Sequence, residues 1–113
     1  MKFTLTKKDL VAMNQQFHDG TLANEASLDF ALSYAKRTEN WVKALAWLTR
    51  AILLDHAFEE GNKRTAMLLI KSYADYEGHK TFDSKILRLV KEIILKKITG
   101  IKKIEEMIND AIY

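Results

Sequence analysis

Trp41-Val42-Lys43-Ala44-Leu45-Ala46-Trp47-Leu48-Thr49-Arg50-Ala51-Ile52-Leu53-Leu54 is the stretch on which the fold turns. Trp41, Ala44, Leu45, Leu48 and Ile52 recur at the three- and four-residue steps of a helix face, not at the alternate positions of a strand. Asn40 ahead of them reads as the N-cap, and the helix runs toward Asp55. The strongly apolar part, Ala44 to Leu54, is interrupted by Thr49 and Arg50. It falls far short of the roughly 20 residues of a membrane span, so it reads as the core helix of a soluble protein with no membrane partner.

The same period extends to both sides. Upstream, a helix from about Asn24 carries Leu28, Ala31, Leu32 and Ala35 until the polar stretch Lys36 to Asn40 breaks it. Before that, Thr6 and Asp9 cap a first helix with Leu10, Met13 and Phe17, and Val11 and Asn14 beside them, on adjoining faces until Gly20 ends it. Downstream, a fourth helix opens near Asn62 and continues through Leu68, Leu69, Ile70 and Tyr73 to Gly78, a helix stop. It is apolar on several sides and therefore expected to be central. Ser84 is the expected cap of a fifth helix bearing Ile86, Leu87, Val90, Ile93, Ile94 and Leu95. Gly100 separates it from a last one bearing Ile101, Ile104, Met107, Ile108 and Ile112. With no proline and four glycines in 113 residues, the expectation is an all-α bundle of about six helices, one domain over residues 1–113.

Cysteine is absent, which removes disulfides and thiolate metal sites and is compatible with the cytoplasm. The N-terminal Met1-Lys2-Phe3-Thr4-Leu5-Thr6-Lys7-Lys8 lacks the apolar run of a secretory signal. A net charge of +3 is mild, but Lys85, Arg88, Lys91, Lys96, Lys97, Lys102 and Lys103 stand against Glu92 alone between residues 85 and 103. That basic run reads as a solvated helix face, with an acidic partner or nucleic acid as the minority reading. Trp41, Trp47, Tyr73 and Tyr76 read as core or half-buried aromatics. His18 and His79 read as helix-end or surface residues, and three histidines without i, i+4 pairing make no zinc site.

Between the two most apolar helices lies a polar island, His56-Ala57-Phe58-Glu59-Glu60-Gly61-Asn62-Lys63-Arg64-Thr65-Ala66. Burying a histidine, carboxylates and a guanidinium together is unfavourable unless they are paired or liganded, so such a break in pattern points to a site. Gly61 and Asn62 permit a tight turn, after which the free amides of a helix start converge where the dipole favours an anion. Lys63 and Arg64 add charge, the arginine as a planar fork suited to phosphate oxygens. Glu60 beside bound phosphates suits magnesium held by one protein carboxylate plus phosphate oxygens. His56 is the side chain there able to take a proton near neutral pH from an attacking hydroxyl. These parts suit phosphoryl or nucleotidyl transfer. Neither the P-loop pattern nor Gly-x-Gly-x-x-Gly occurs.

The island resembles the Fic/Doc signature, His-x-Phe-x-Asp/Glu-Gly-Asn-x-Arg, with His56, Phe58, Glu60, Gly61, Asn62 and Arg64 in register. The resemblance implies a helical core whose loop binds ATP with Mg2+ and modifies a hydroxyl of a target protein. By position His56 would be the general base, Phe58 the anchor of the loop in the core and Glu60 the magnesium ligand. Gly61, Asn62 and Arg64, with Lys63 beside them, would form the anion site. AMP-transferring Fic enzymes usually have glycine at the place of Lys63 and a second arginine at that of Met67. Lys63-Arg64-Thr65-Ala66 instead resembles the Doc branch, the toxins of Phd/Doc modules, in which the terminal phosphate is transferred. That implies a kinase-like toxin acting on a Ser/Thr of a translation factor such as elongation factor Tu, with a Phd-like antitoxin as partner. Weaker similarity covers Asn24 to Leu32 and Gly78 to Leu87.

Two alternatives stay open on the sequence: AMP transfer by the same loop, and a non-catalytic module whose basic helix from Lys85 to Lys103 binds an acidic partner or nucleic acid. The family's target-docking flap would fall on the short Lys36-Arg37-Thr38-Glu39-Asn40. Thr21 to Ala26 faintly resembles the Fic inhibitory pattern Ser/Thr-x-x-x-Glu-Gly/Asn, which would make Glu25 an inhibitory partner of the phosphate-site arginine. Ala26 departs from that pattern, and the residues alone read Glu25 as an acid in a helix's first turn.

Overall fold

The computed structural model describes residues 3–113; Met1 and Lys2, the start of the N-terminal stretch read above, lie outside it. Among the described residues the regular structure is helical: α1 (Lys7–Asn14), α2 (Glu25–Arg37), α3 (Trp41–Leu53), α4 (Asn62–Tyr76), α5 (Asp83–Lys96) and α6 (Ile101–Ala111). The expected all-α bundle of six helices is what the chain forms, and none of them is long and apolar enough to cross a membrane.

Helix α3 touches α2, α4, α5 and α6. Its buried residues, from Val42 and Ala44 through Leu48 to Ile52 and Leu53, leave little of its circumference to solvent. Its start is fixed by Asn40, whose Oδ1 accepts from the amides of Val42 and Lys43 at 3.1 Å each. Ala31 and Ala35 of α2 and Ala44 and Ala51 of α3 are small enough to let neighbouring axes approach. Ile104 and Ile108 of α6 close another side. Truncating Leu48, fully buried in this seam, would cost about 2–5 kcal/mol. Helix α4 packs on α1, α3 and α5, so α3 and α4 share the middle, and the loop between them opens from the centre of the bundle.

Local chemistry decides the other boundaries. Thr6 and Asp9 form a reciprocal capping box at α1. Gly78 is left-handed (φ 80°), and the amides of Gly78 and His79 return to the carbonyls of Asp75 and Ala74, a Schellman stop for α4.

Three helix-boundary expectations need correction. Helix α1 ends at Asn14, not Gly20, because the Asn14 side chain is drawn into tertiary hydrogen bonds and the chain turns away; Phe17 is left exposed. Helix α2 continues through Lys36 and Arg37, cations that suit a helix C-terminus, and stops at Thr38. Ser84 is not a cap: Phe82 holds that position without a side-chain bond, and Asp83 opens α5, paired with Lys71 at 2.8 Å. Gly100 does separate the last two helices, as the N-cap position of α6, and α5 stops at Lys97 in the left-handed region (φ 49°). Leu87 and Leu95 face solvent on α5, the latter 81% exposed, because the buried stripe is Ile86, Leu89, Val90 and Ile93.

Candidate active site

The loop after α3 is shaped by two anchors and a wall. Phe58 is fully buried, the expected anchor, together with Ala57 before it, while Glu59 and Glu60 after it are exposed. The wall is the α1–α2 connection. Leu22 and Phe58 form an antiparallel bridge, the Ala23 amide donates to the Ala57 carbonyl at 2.8 Å, and the Glu59 amide donates to Thr21 at 3.0 Å. Asn24 extends the clamp, donating from Nδ2 to the Asp55 carbonyl at 3.1 Å.

The second anchor is Asn62, the first residue of α4. Its Oδ1 accepts from the Phe58 amide at 3.0 Å and its Nδ2 donates to the Phe58 carbonyl at 2.8 Å, closing the loop into a ring of side chain and backbone. The Asn62 side chain is therefore occupied by the loop itself, and what it can offer an anion is its backbone N–H. Gly61 before it is left-handed (φ 78°), and a Cβ there would meet Asn14 Nδ2 at 3.0 Å, so glycine is needed for conformation and for space. No side chain caps the start of α4. Its first-turn amides have no partner within the helix and face outward with the positive end of the dipole.

Around this end the structure gathers the sequence's candidates. His56, Glu59, Glu60, Lys63 and Arg64 are all exposed, so the polar island is a rim and not the buried cluster its position between core helices suggested. His56 stands past the end of α3 in the left-handed region (φ 51°), unusual for a residue with a side chain and a mark often found at functional positions. Glu25 sits at the α2 N-terminus in an ion pair with Lys7, which also reaches Asp29 at 3.0 Å; it has no ion pair to Arg64 among the described residues.

Two residues that sequence reasoning did not single out complete the site. Asn14 is fully buried on α1, donating from Nδ2 to the Glu60 carbonyl at 2.9 Å and to Thr65 Oγ1 at 3.0 Å, and accepting from the Gly20 amide at 2.9 Å. The signal for it was an asparagine one helical turn from buried Leu10. His18 places Nε2 against Glu60 Oε2 and Nδ1 against Asp19 Oδ1 at 3.2 Å. Its hydrogen bond with Asp19 holds its proton above the usual histidine value, and the Glu60 charge adds to this. Asp19, bonded by the Thr21 amide, is held down to about 2. No sequence pattern announces that contact.

Other candidates fall elsewhere. Lys36 to Asn40 lies at the opposite end of α3 from His56, about 20 Å away by helical rise. The segment alongside the loop is Thr21–Ala23. In the basic run, Lys85 lies over the Tyr113 ring at 4.4 Å and Lys96 pairs with Glu92 at 2.9 Å, as on an ordinary solvated face.

Among the described residues no cluster of three or more His, Cys, Asp or Glu forms a protein-only metal site. Glu60, one hard carboxylate beside an open helix start, is the donor set that suits magnesium shared with phosphate oxygens. A family model described as Fic/DOC family matches residues 5–74, well over half of the chain and the whole of this site. No curated protein and no solved structure matches the chain.

Proposed function

The chain belongs to the Fic/DOC family, a family of protein-modifying transferases, and from that premise we propose that it transfers the γ-phosphate of ATP to a Ser/Thr hydroxyl of a target protein. The observation that carries this reading is the uncapped start of α4 behind left-handed Gly61, with exposed His56 and Glu60 in the loop that leads into it and exposed Lys63 and Arg64 on its first turn. An open helix start flanked by two cations is a seat for phosphates.

In this reading the first-turn amides and Arg64 hold the phosphate chain. Glu60 would hold magnesium, which when bound neutralises phosphate charge and orients the γ-phosphoryl group. His56 accepts the proton of the target hydroxyl as its oxygen bonds to the γ-phosphorus; the bond from phosphorus to the β–γ bridging oxygen breaks, and ADP leaves with that electron pair. Lys63 beside Arg64, and Met67 where AMP-transferring relatives usually carry a second arginine, favour phosphate over AMP. By the Doc resemblance the protein acts as a cytoplasmic toxin held by a Phd-like antitoxin, and a translation factor such as elongation factor Tu is the candidate target.

The test is incubation with Mg2+, a translation-competent extract and ATP labelled at the α- or the γ-phosphate. Label from the γ position alone, reduced about 10²–10⁴-fold in His56→Ala, is the expected result. Label from the α position would assign AMP transfer, and label unaffected by His56→Ala would overturn the proposed base. His56 is exposed, so the variant should keep the wild-type melting temperature.

A further inference from the structure

Glu60 is distant in sequence from His18, yet both are tied to Asn14. The Asn14 side chain holds the Glu60 carbonyl, and its backbone carbonyl accepts from the amides of Phe17 and His18 at 2.9 and 2.8 Å. The turn carrying His18 is further fixed by the Gly20 amide on Asn14 Oδ1 and by the Thr21 amide on Asp19 Oδ1, each at 2.9 Å. His18 thus arrives at Glu60 from a braced turn, with Asp19 behind its other ring nitrogen. The Glu60 side chain is 68% exposed. A free glutamate so placed would lose appreciable rotamer entropy on taking up a ligand.

From this geometry we infer that His18 is a positioning residue for Glu60: its Nε2–H engages Oε2, fixes the carboxylate's direction and leaves Oε1 to a hard cation seated against bound phosphates. A ligating carboxylate hydrogen-bonded from behind is the usual second layer of a metal site, and its loss typically weakens the metal by 10–100-fold. The inference rests on the proposed role of Glu60, and the experiment separates the two.

Mg2+ is titrated calorimetrically into the full chain saturated with a non-hydrolysable ATP analogue, for wild type, His18→Ala, His18→Gln and Glu60→Gln. His18→Ala should weaken Mg2+ by about 10–100-fold, and His18→Gln, whose amide can still donate, should recover most of that. The half-saturating Mg2+ concentration for transfer should rise in parallel, with kcat at saturating Mg2+ largely kept. Loss of Mg2+ in Glu60→Gln together with wild-type or tighter binding in His18→Ala overturns the role of His18 alone. Wild-type Mg2+ binding in Glu60→Gln overturns the metal reading beneath it. Should His18→Ala fail to fold, the isosteric donor His18→Gln against Glu60→Gln decides the same question: Mg2+ affinity as weak in His18→Gln as in Glu60→Gln overturns the inference.

Discussion

Asn40 and Asn62 stand at the starts of consecutive helices, on either end of α3, and do opposite things. Asn40 sits one residue before its helix and turns its Oδ1 forward onto the amides of Val42 and Lys43, closing the α3 terminus. Asn62 is the first residue inside its helix and turns backward, holding both polar groups of Phe58 and leaving the α4 terminus without a side-chain cap. One asparagine stabilises a helix; the other stabilises a loop so that a helix start can stay open. Helices α5 and α6 also begin without side-chain caps. An open end acquires meaning at α4 because a left-handed glycine, a carboxylate, two cations and a histidine stand around it.

The strongest way to break this comparison is Asn62→Ala. It strands a part-buried N–H and a part-buried carbonyl of Phe58, and should cost about 2–6 kcal/mol in denaturant unfolding at roughly 1–3 kcal/mol per stranded group, with weaker binding of an ATP analogue. A loss no greater than that of Asn40→Ala would make Asn62 an ordinary helix residue. Gly61→Ala comes next, at about 1–2 kcal/mol for a left-handed backbone with a Cβ. It should also push aside the Asn14 amide, visible as chemical-shift change on α1. Asn40→Ala should cost about 1 kcal/mol and leave nucleotide binding untouched, which sharpens the contrast. The smallest effect is with pH. His18 has its pKa raised above its ordinary 6.5, so the stabilisation it draws from Asp19 and Glu60 is complete below that value and lost as pH rises through the raised one. Melting temperature should fall slightly over that window, and His18→Asn should flatten this part of the profile.

Much of this was legible in the sequence, because helix periodicity, the Thr6 and Asn40 caps, the Gly78 stop and the spacing from His56 to Arg64 are local properties. What was not legible depends on distant partners. Asn14 ends α1 because Glu60 and Thr65 receive its side chain; without them the apolar pattern would have carried the helix on toward Gly20. The approach of His18 to Glu60 follows from that same turn. Leu95 stands among the apolar residues of α5 yet faces solvent, because periodicity identifies a stripe but not which flank of it meets another helix. The exposure of the polar rim was misjudged for a related reason: Ala57 and Phe58 sink inward while the residues around them turn out, and a loop has no period to reveal this.

Helix α1 buries Leu10 and Asn14 and touches α2 and α4 alone among the other helices, whereas α2, α3 and α6 are held together without it. Yet Asn14 is the latch on Glu60, on Thr65 and on the turn that carries His18. The candidate site is therefore braced by the least anchored helix of the bundle. A sub-global opening that swings α1 away would unmake the site while the α2–α3–α6 core keeps its amides protected from exchange, giving the active arrangement a melting point of its own, below that of the fold.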